Sequence, residues 1–265
     1  MTFPLSASSV ESVAAESSDP VCTDFTAGGN GTVIRASLWI PTDAAPGGLV
    51  LIGHGGYGHR ADERTRVLAR GFAHRHRLAS LAIDGPVHGD RRQDGGRDPD
   101  AVKPDWQKLW HTDPRIDVMV EDWRAALTHA RELLPDVPIG YFGLSMGSLY
   151  GIPLLAAEGA TFSAAVLGMW GTNNNTGPRL IADAATLSLP ALHYVRWDDE
   201  IFDRAGLVNL FDALGSADKQ LMAVPGPHRT PDARQTETLT AFLADHLSVA
   251  ITDESGAPST EEELR

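Results

Sequence analysis

The chain has a single cysteine, Cys22, in 265 residues, so no intrachain disulfide can form and nothing points to an oxidising compartment. It has no long apolar run either. The longest such stretches, 48–52 and 164–170, fall far short of the roughly 20 residues that cross a bilayer. Positive charge is scarce: 22 lysines and arginines stand against 35 aspartates and glutamates, and the formal net charge of −13 repels phosphate backbones and anionic membrane surfaces. Neither nucleic acid nor membrane is expected as a partner. The first twenty residues lack the basic segment and apolar core of a secretory signal, and a cytoplasmic location is the expectation. There is no internal repeat, no G-x-G-x-x-G with a ribose-binding acid and no G-x-x-x-x-G-K-[ST], so no nucleotide cofactor is expected. H-E-x-x-H and C-x-x-C are missing as well. His54, His59, His74, His76, His88 and His111 read as surface residues rather than metal ligands; His74 and His76, two apart, fall on different faces of a helix. His88 and Asp90, with Arg91 and Arg92, read as a brace for a loop near the pocket or as a substrate contact.

What is present suits one large soluble domain, with 42% apolar and 22% charged residues. Short β-branched or apolar runs alternate with segments of helical period, which predicts an α/β fold: a mainly parallel sheet covered by helices on both faces. Strands are expected at 32–40, 48–52, 78–83, 138–142, 163–169, 191–196 and 220–224. Helices are expected at 62–74, 117–134, 145–157, 204–214 and 231–247. Residues 1–20 read as a flexible arm, 21–250 as the domain and 251–265 as a disordered acidic tail. Two irregular stretches, 85–114 and 171–190, are long enough to be the walls of a pocket.

Gly143-Leu144-Ser145-Met146-Gly147 matches G-x-S-x-G, in which a serine sits on a tight turn between a strand and a helix. In a chain with 26 glycines the pentapeptide alone carries little weight. The expected strand before it and helix after it carry more. A serine hydroxyl needs a base to take its proton, and the base needs an acid to hold its tautomer. His228, in Pro225-Gly226-Pro227-His228, follows the last predicted strand and is the candidate base. Asp199, in Trp197-Asp198-Asp199-Glu200-Ile201, follows the strand ending at Arg196 and is the candidate acid, with Asp198 as its rival. The order Ser145, Asp199, His228 is that of α/β-hydrolases and differs from the chymotrypsin and subtilisin orders.

Over roughly residues 30 to 248 these segments together resemble the α/β-hydrolase superfamily, in particular its compact esterase and dienelactone-hydrolase-like branches. The matching phrases are Gly53-His54-Gly55-Gly56, Asp84-Gly85-Pro86-Val87-His88-Gly89, the serine turn, the Asp-Glu-Ile-Phe segment at 199–202, and Gly226-Pro227-His228. The resemblance favours Asp199 over Asp198. It also implies an oxyanion hole made of the Met146 N–H and a second donor after the early strand, Gly56 or alternatively Tyr57. Dienelactone hydrolases proper are similar in fold but use a cysteine nucleophile, where this chain has Ser145.

Only about twenty residues, 171–190, separate the strand after the serine turn from the acid strand, so no large cap domain is expected and the site should be open. Tyr57, Trp106, Trp110 and Trp170 are candidates for the substrate pocket, with core packing as the other reading of the three tryptophans. The function expected is a serine carboxylesterase that cleaves a small or medium ester through an acyl-enzyme, without cofactor or metal. A prolyl-oligopeptidase-like peptidase, a thioesterase or an acyltransferase would use the same machinery, and an inactive binding module would use only the fold.

Overall fold

The computed structural model describes residues 19–29 and 32–248. All but the last two residues of the expected N-terminal arm, and the whole of the expected acidic tail, lie outside the described residues. Eight strands form one sheet: β1 Val21–Gly29, β2 Thr32–Ile40, β3 Leu49–Gly53, β4 Ala79–Ile83, β5 Ile139–Gly143, β6 Phe162–Gly168, β7 Ala191–Arg196 and β8 Lys219–Val224, in the order β1-β2-β4-β3-β5-β6-β7-β8. The first two junctions, β1 with β2 and β2 with β4, are antiparallel, and every later one is parallel.

Strands β3, β4 and β5 are buried on both faces, which is why they read as continuous apolar runs rather than as alternating ones. Their side chains still alternate between faces. Leu49 and Leu51 join the core under α3 Ile116–Leu133 and α4 Met146–Glu158. Val50 and Ile52 join a second core under α1 Glu63–His76 and α7 Ala233–Leu247. Helix α4 runs through the middle of the molecule and is buried at every position from Met146 to Leu155, as an all-round apolar helix must be. The remaining helices are α2 Pro99–Thr112, α5 Gly177–Ala184 and α6 Arg204–Ala213. No helix among the described residues is long and apolar enough to cross a membrane.

Three elements depart from the expected pattern. Strand β1 extends the sheet by a full-length antiparallel pairing with β2. Helices α2 and α5 occupy much of the stretches expected to be irregular. Helix α2 had been obscured by Pro104 in its interior, yet it opens on a recognisable signal: Asp98 caps it by accepting the Ala101 N–H at 3.0 Å, and Pro99 takes the first turn, where its missing N–H costs nothing. Helix α5, with eight residues, is all the helix that stands between β6 and β7, so there is no large cap.

Candidate active site

Register brings the key loops to one edge of the sheet. Gly53 at the end of β3 pairs with Gly143 at the end of β5, and Arg196 at the end of β7 pairs with Val224 at the end of β8. The loops that follow these four strands therefore emerge side by side, over the carboxyl ends of the parallel strands, where open α/β sheets bind their ligands.

The first of these is the turn bearing Ser145, whose backbone stands at φ 57°, ψ −122°. Such a conformation is costly for a residue with a Cβ and persists only when its surroundings impose it. Here the Ser145 N–H donates to the Gly168 carbonyl at 2.8 Å, and the buried Ser148 hydroxyl accepts the Gly168 N–H at 2.7 Å while donating its one proton to the Gly143 carbonyl at 2.8 Å. Both glycines of the pentapeptide are sterically required. A Cβ on Gly147 would sit 2.5 Å from the Gly53 carbonyl oxygen, and one on Gly143 would strike Tyr141 and the Gly147 backbone.

His228 Nε2 lies 3.0 Å from Ser145 Oγ, and His228 Nδ1 lies 2.7 Å from Asp199 Oδ2. The imidazole side chain is 12% exposed and the Asp199 side chain is fully covered. The other Asp199 oxygen accepts the N–H groups of Ile201 and Phe202, both at 2.9 Å, so the carboxylate is held from two sides. Asp198 has a different job: its carboxylate accepts the Gly226 N–H at 2.8 Å, and its own N–H donates to the Gly226 carbonyl. It shapes the turn that carries His228 and does not reach the ring. Two residues with no signal in the sequence complete this arrangement. Buried Arg196 donates to the Pro225, Arg229 and Thr230 carbonyls at 3.2, 3.2 and 3.1 Å, bracketing His228, while the Glu200 carboxylate accepts the His228 backbone N–H at 2.7 Å.

On the opposite side, Met146 is the first residue of α4, a position where the helix offers its N–H no internal acceptor. The 54–59 loop leaves the end of β3, the strand paired with β5, and so emerges beside the turn that carries Ser145 and Met146. A turn closed by the Gly58 N–H on the Gly55 carbonyl, at 3.0 Å, leaves the N–H groups of Gly56 and Tyr57 at its centre. Tyr57 itself is 40% exposed. The Trp106 indole packs so tightly on Gly56 that a Cβ there would lie 2.5 Å from its Nε1.

The tryptophans form a continuous aromatic run. Trp106 stacks on Trp110 with centroids 6.4 Å apart, Trp110 meets Trp170 at 5.0 Å, Trp170 meets Phe202 at 4.6 Å, and Phe202 reaches His228 at 5.9 Å. Trp106 and Trp170 are buried, and the Trp170 Nε1–H donates to Thr176 Oγ1 at 3.1 Å; Trp110 is partly exposed. Asn175 pins the end of α2 by donating to the Trp110 carbonyl at 2.7 Å. Phe202 is the member that periodicity and composition had not singled out.

The surface reading of the histidines fails for two of them. His54 and His88 are buried; both ring nitrogens of His54 and the Nε2 of His88 bond to loop backbone. The bracing role expected of Asp90 and its neighbours takes the form of an ion network. Buried Arg60 pairs with Asp84 and Asp90, both at 2.9 Å, and Arg91 pairs with Asp122 at 2.5 Å. Among the described residues, no three histidine, cysteine or acidic side chains converge as a metal-binding group.

No model of a known protein family matches the sequence, and no curated protein does. Solved structures do. The chain is similar to a cold-adapted esterase from an Arctic intertidal metagenomic library, with a TM-score of 0.78 and 26% identity over 88% of this chain and 98% of that one. A thermostable carboxyl esterase from Bacillus coagulans superposes with a TM-score of 0.65 and 17% identity, over 85% of this chain and 99% of that one. A dienelactone hydrolase from Anabaena variabilis does so with a TM-score of 0.61 and 18% identity, over 86% and 97%. At these last two identities the likeness concerns the fold alone.

Proposed function

The chain carries the α/β-hydrolase fold, and from that premise we propose that it is a carboxylesterase-type serine hydrolase acting on a small or medium carboxylic ester through an acyl-enzyme. One observation carries the reading: the unbroken relay from Asp199 through both nitrogens of His228 to Ser145, at 2.7 and 3.0 Å. A binding module that had lost its chemistry would have no reason to keep it.

In this mechanism His228 Nε2 takes the proton of Ser145 as Oγ attacks the ester carbonyl, and later returns it to the leaving alcohol. Asp199 keeps the other proton on Nδ1 and stabilises the imidazolium that forms. The negative charge on the former carbonyl oxygen falls to the Met146 N–H and to that of Gly56 or Tyr57, a contribution of several kcal/mol where the donors are preorganised. Water then repeats the sequence on the acyl-enzyme. The esterase activity of the cold-adapted relative supports the class of substrate. The short α5 and the aromatic run from Trp106 to Phe202 support a small or medium acyl group rather than a long lipid chain.

Labelling with a fluorophosphonate, followed by mapping of the modified peptide, tests the reading. The label is expected on Ser145, and its absence there would sink the proposal. A panel of p-nitrophenyl esters of increasing acyl length, run on wild type and Ser145→Ala, should show activity in the first alone, strongest at the short end.

A further inference from the structure

Two buried histidines take no part in the proton transfers just described, yet they touch the same site. His54 and His88 are 7% and 0% exposed, with ring centroids 5.0 Å apart. Burial holds both below the ordinary imidazole range, His88 at about 3. Both rings are thus neutral near pH 7, each with one N–H and one bare nitrogen, and their partners assign which is which. The Gly85 N–H donates to His54 Nε2 at 2.9 Å, so the His54 proton sits on Nδ1, 2.9 Å from the Gly55 carbonyl oxygen. His88 Nε2 lies 2.9 Å from the Gly56 carbonyl oxygen, so that nitrogen carries the proton. Its bare Nδ1 is buried without a partner.

These bonds grip two successive carbonyls of the loop that follows β3, beside the Ser145 turn. In a planar trans peptide the C=O and the following N–H point in opposite directions. Drawing the Gly55 carbonyl onto His54 turns the Gly56 N–H the other way, and drawing the Gly56 carbonyl onto His88 does the same to the Tyr57 N–H. Those two N–H groups are the candidates for the second oxyanion donor. Glycines at 55, 56 and 58 leave the loop with little side chain to hold it, so its rigidity has to come from outside. The segment that supplies His88 is itself fixed, because the Asp84 carboxylate accepts the Arg60 backbone N–H at 2.8 Å and its guanidinium at 2.9 Å.

We propose that the second oxyanion donor is the Tyr57 N–H and that His88 is its positioning residue: the His88 Nε2–H holds the Gly56 carbonyl and so sets the peptide plane that carries that N–H. The inference rests on the serine hydrolase reading above. Because an oxyanion donor acts on the transition state, losing its alignment should lower kcat and leave KM nearly unchanged.

The test compares His88→Leu, which removes the donor, with His88→Gln, whose amide nitrogen can stand where Nε2 stood. Active-site titration with a p-nitrophenyl phosphonate counts competent Ser145 in each preparation, and kcat and KM on p-nitrophenyl butyrate are then expressed per titrated site. His88→Leu is expected to lose at least about tenfold in kcat with KM within about threefold, and His88→Gln to recover most of it. A merely structural role would reduce the titrated fraction and Tm while leaving kcat per site unchanged in both variants, and that result would overturn the proposal. So would a glutamine variant as impaired as the leucine one. If His88→Leu yields no soluble protein, the wild type carries the test: the His88 Nε2 proton, followed by 15N-edited NMR, should shift when a boronic acid occupies the oxyanion site, and an unmoved resonance overturns the proposal. Failure of wild type to release p-nitrophenol in the titration strikes instead at the hydrolase reading itself.

Discussion

At Ser145 the demands of stability and of chemistry are opposed. Its φ of 57° with ψ of −122° lies where only glycine is at ease, and such strain costs about 1–3 kcal/mol. Removing the Cβ should relieve it. Ser145→Gly is expected to unfold at a higher urea concentration than Ser145→Ala, by about 1 kcal/mol, although both lack esterase activity. Equal midpoints would show that the turn is not strained. The adjacent aspartates make a sharper pair. Asp199 alone touches His228, so Asp199→Asn should lower kcat by about 10³–10⁴, the effect of a wrong imidazole tautomer, with the fold intact. Asp198→Asn removes the carboxylate that accepts the Gly226 N–H, and kcat should fall by less than about tenfold. Kinetics on p-nitrophenyl acetate decide between them, and the reverse order would move the acid by one residue. Two neighbouring carboxylates follow β7, and which of them turns inward depends on the turn paired across β7 and β8, which neither residue encodes by itself.

Under the proposed function, helix α2 supplies one end of the aromatic run beside the site. Trp106 and Trp110, four residues apart, share one face of the helix and begin the aromatic run that ends beside His228. Trimming that run at its partly exposed member should admit longer acyl groups. Trp110→Ala is expected to raise kcat/KM for p-nitrophenyl octanoate relative to the acetate by about tenfold, a few methylenes' worth of discrimination. An unchanged ratio would mean that Trp110 does not line the acyl side. Pro104 interrupts the helical pattern of α2 in the sequence, although Asp98-Pro99 announces its start. The long amphipathic helix α3 is legible because it repeats one period over its whole length, and β5, just before Ser145, because it is a short continuous apolar run that ends on a glycine.

For the molecule as a whole, burying neutral histidines has a cost in acid. His88 and His193 are wholly buried and held at about 3 and about 4, far below the ordinary imidazole value. Between those values and about 6.5 the unfolded chain binds protons that the native state refuses, so stability is full above that range and is lost as pH falls through it. Each of the two should contribute a loss of about 2 kcal/mol between pH 7 and pH 5. Urea unfolding at the two pH values should therefore show a clear fall in midpoint, and His193→Leu, in β7, should reduce it. A pH-independent midpoint would mean that these rings are not neutral and buried in the native state.

The α/β class, most of the elements and the grouping of Ser145 and His228 with one of the two carboxylates at 198 and 199 could be read from the sequence alone. Each rests on local information: a hydrophobic period, a glycine turn, or the order of polar residues after successive strands. Tertiary structure decided the rest. It chose Asp199 rather than Asp198 as the partner of His228, buried His54 and His88 under the glycine loop, enlisted Arg196 around the His228 turn, and brought Phe202 into line with the tryptophans. These are contacts between residues tens of positions apart. They depend on strand register and loop packing, and a one-residue slip in register would break them without changing any local pattern.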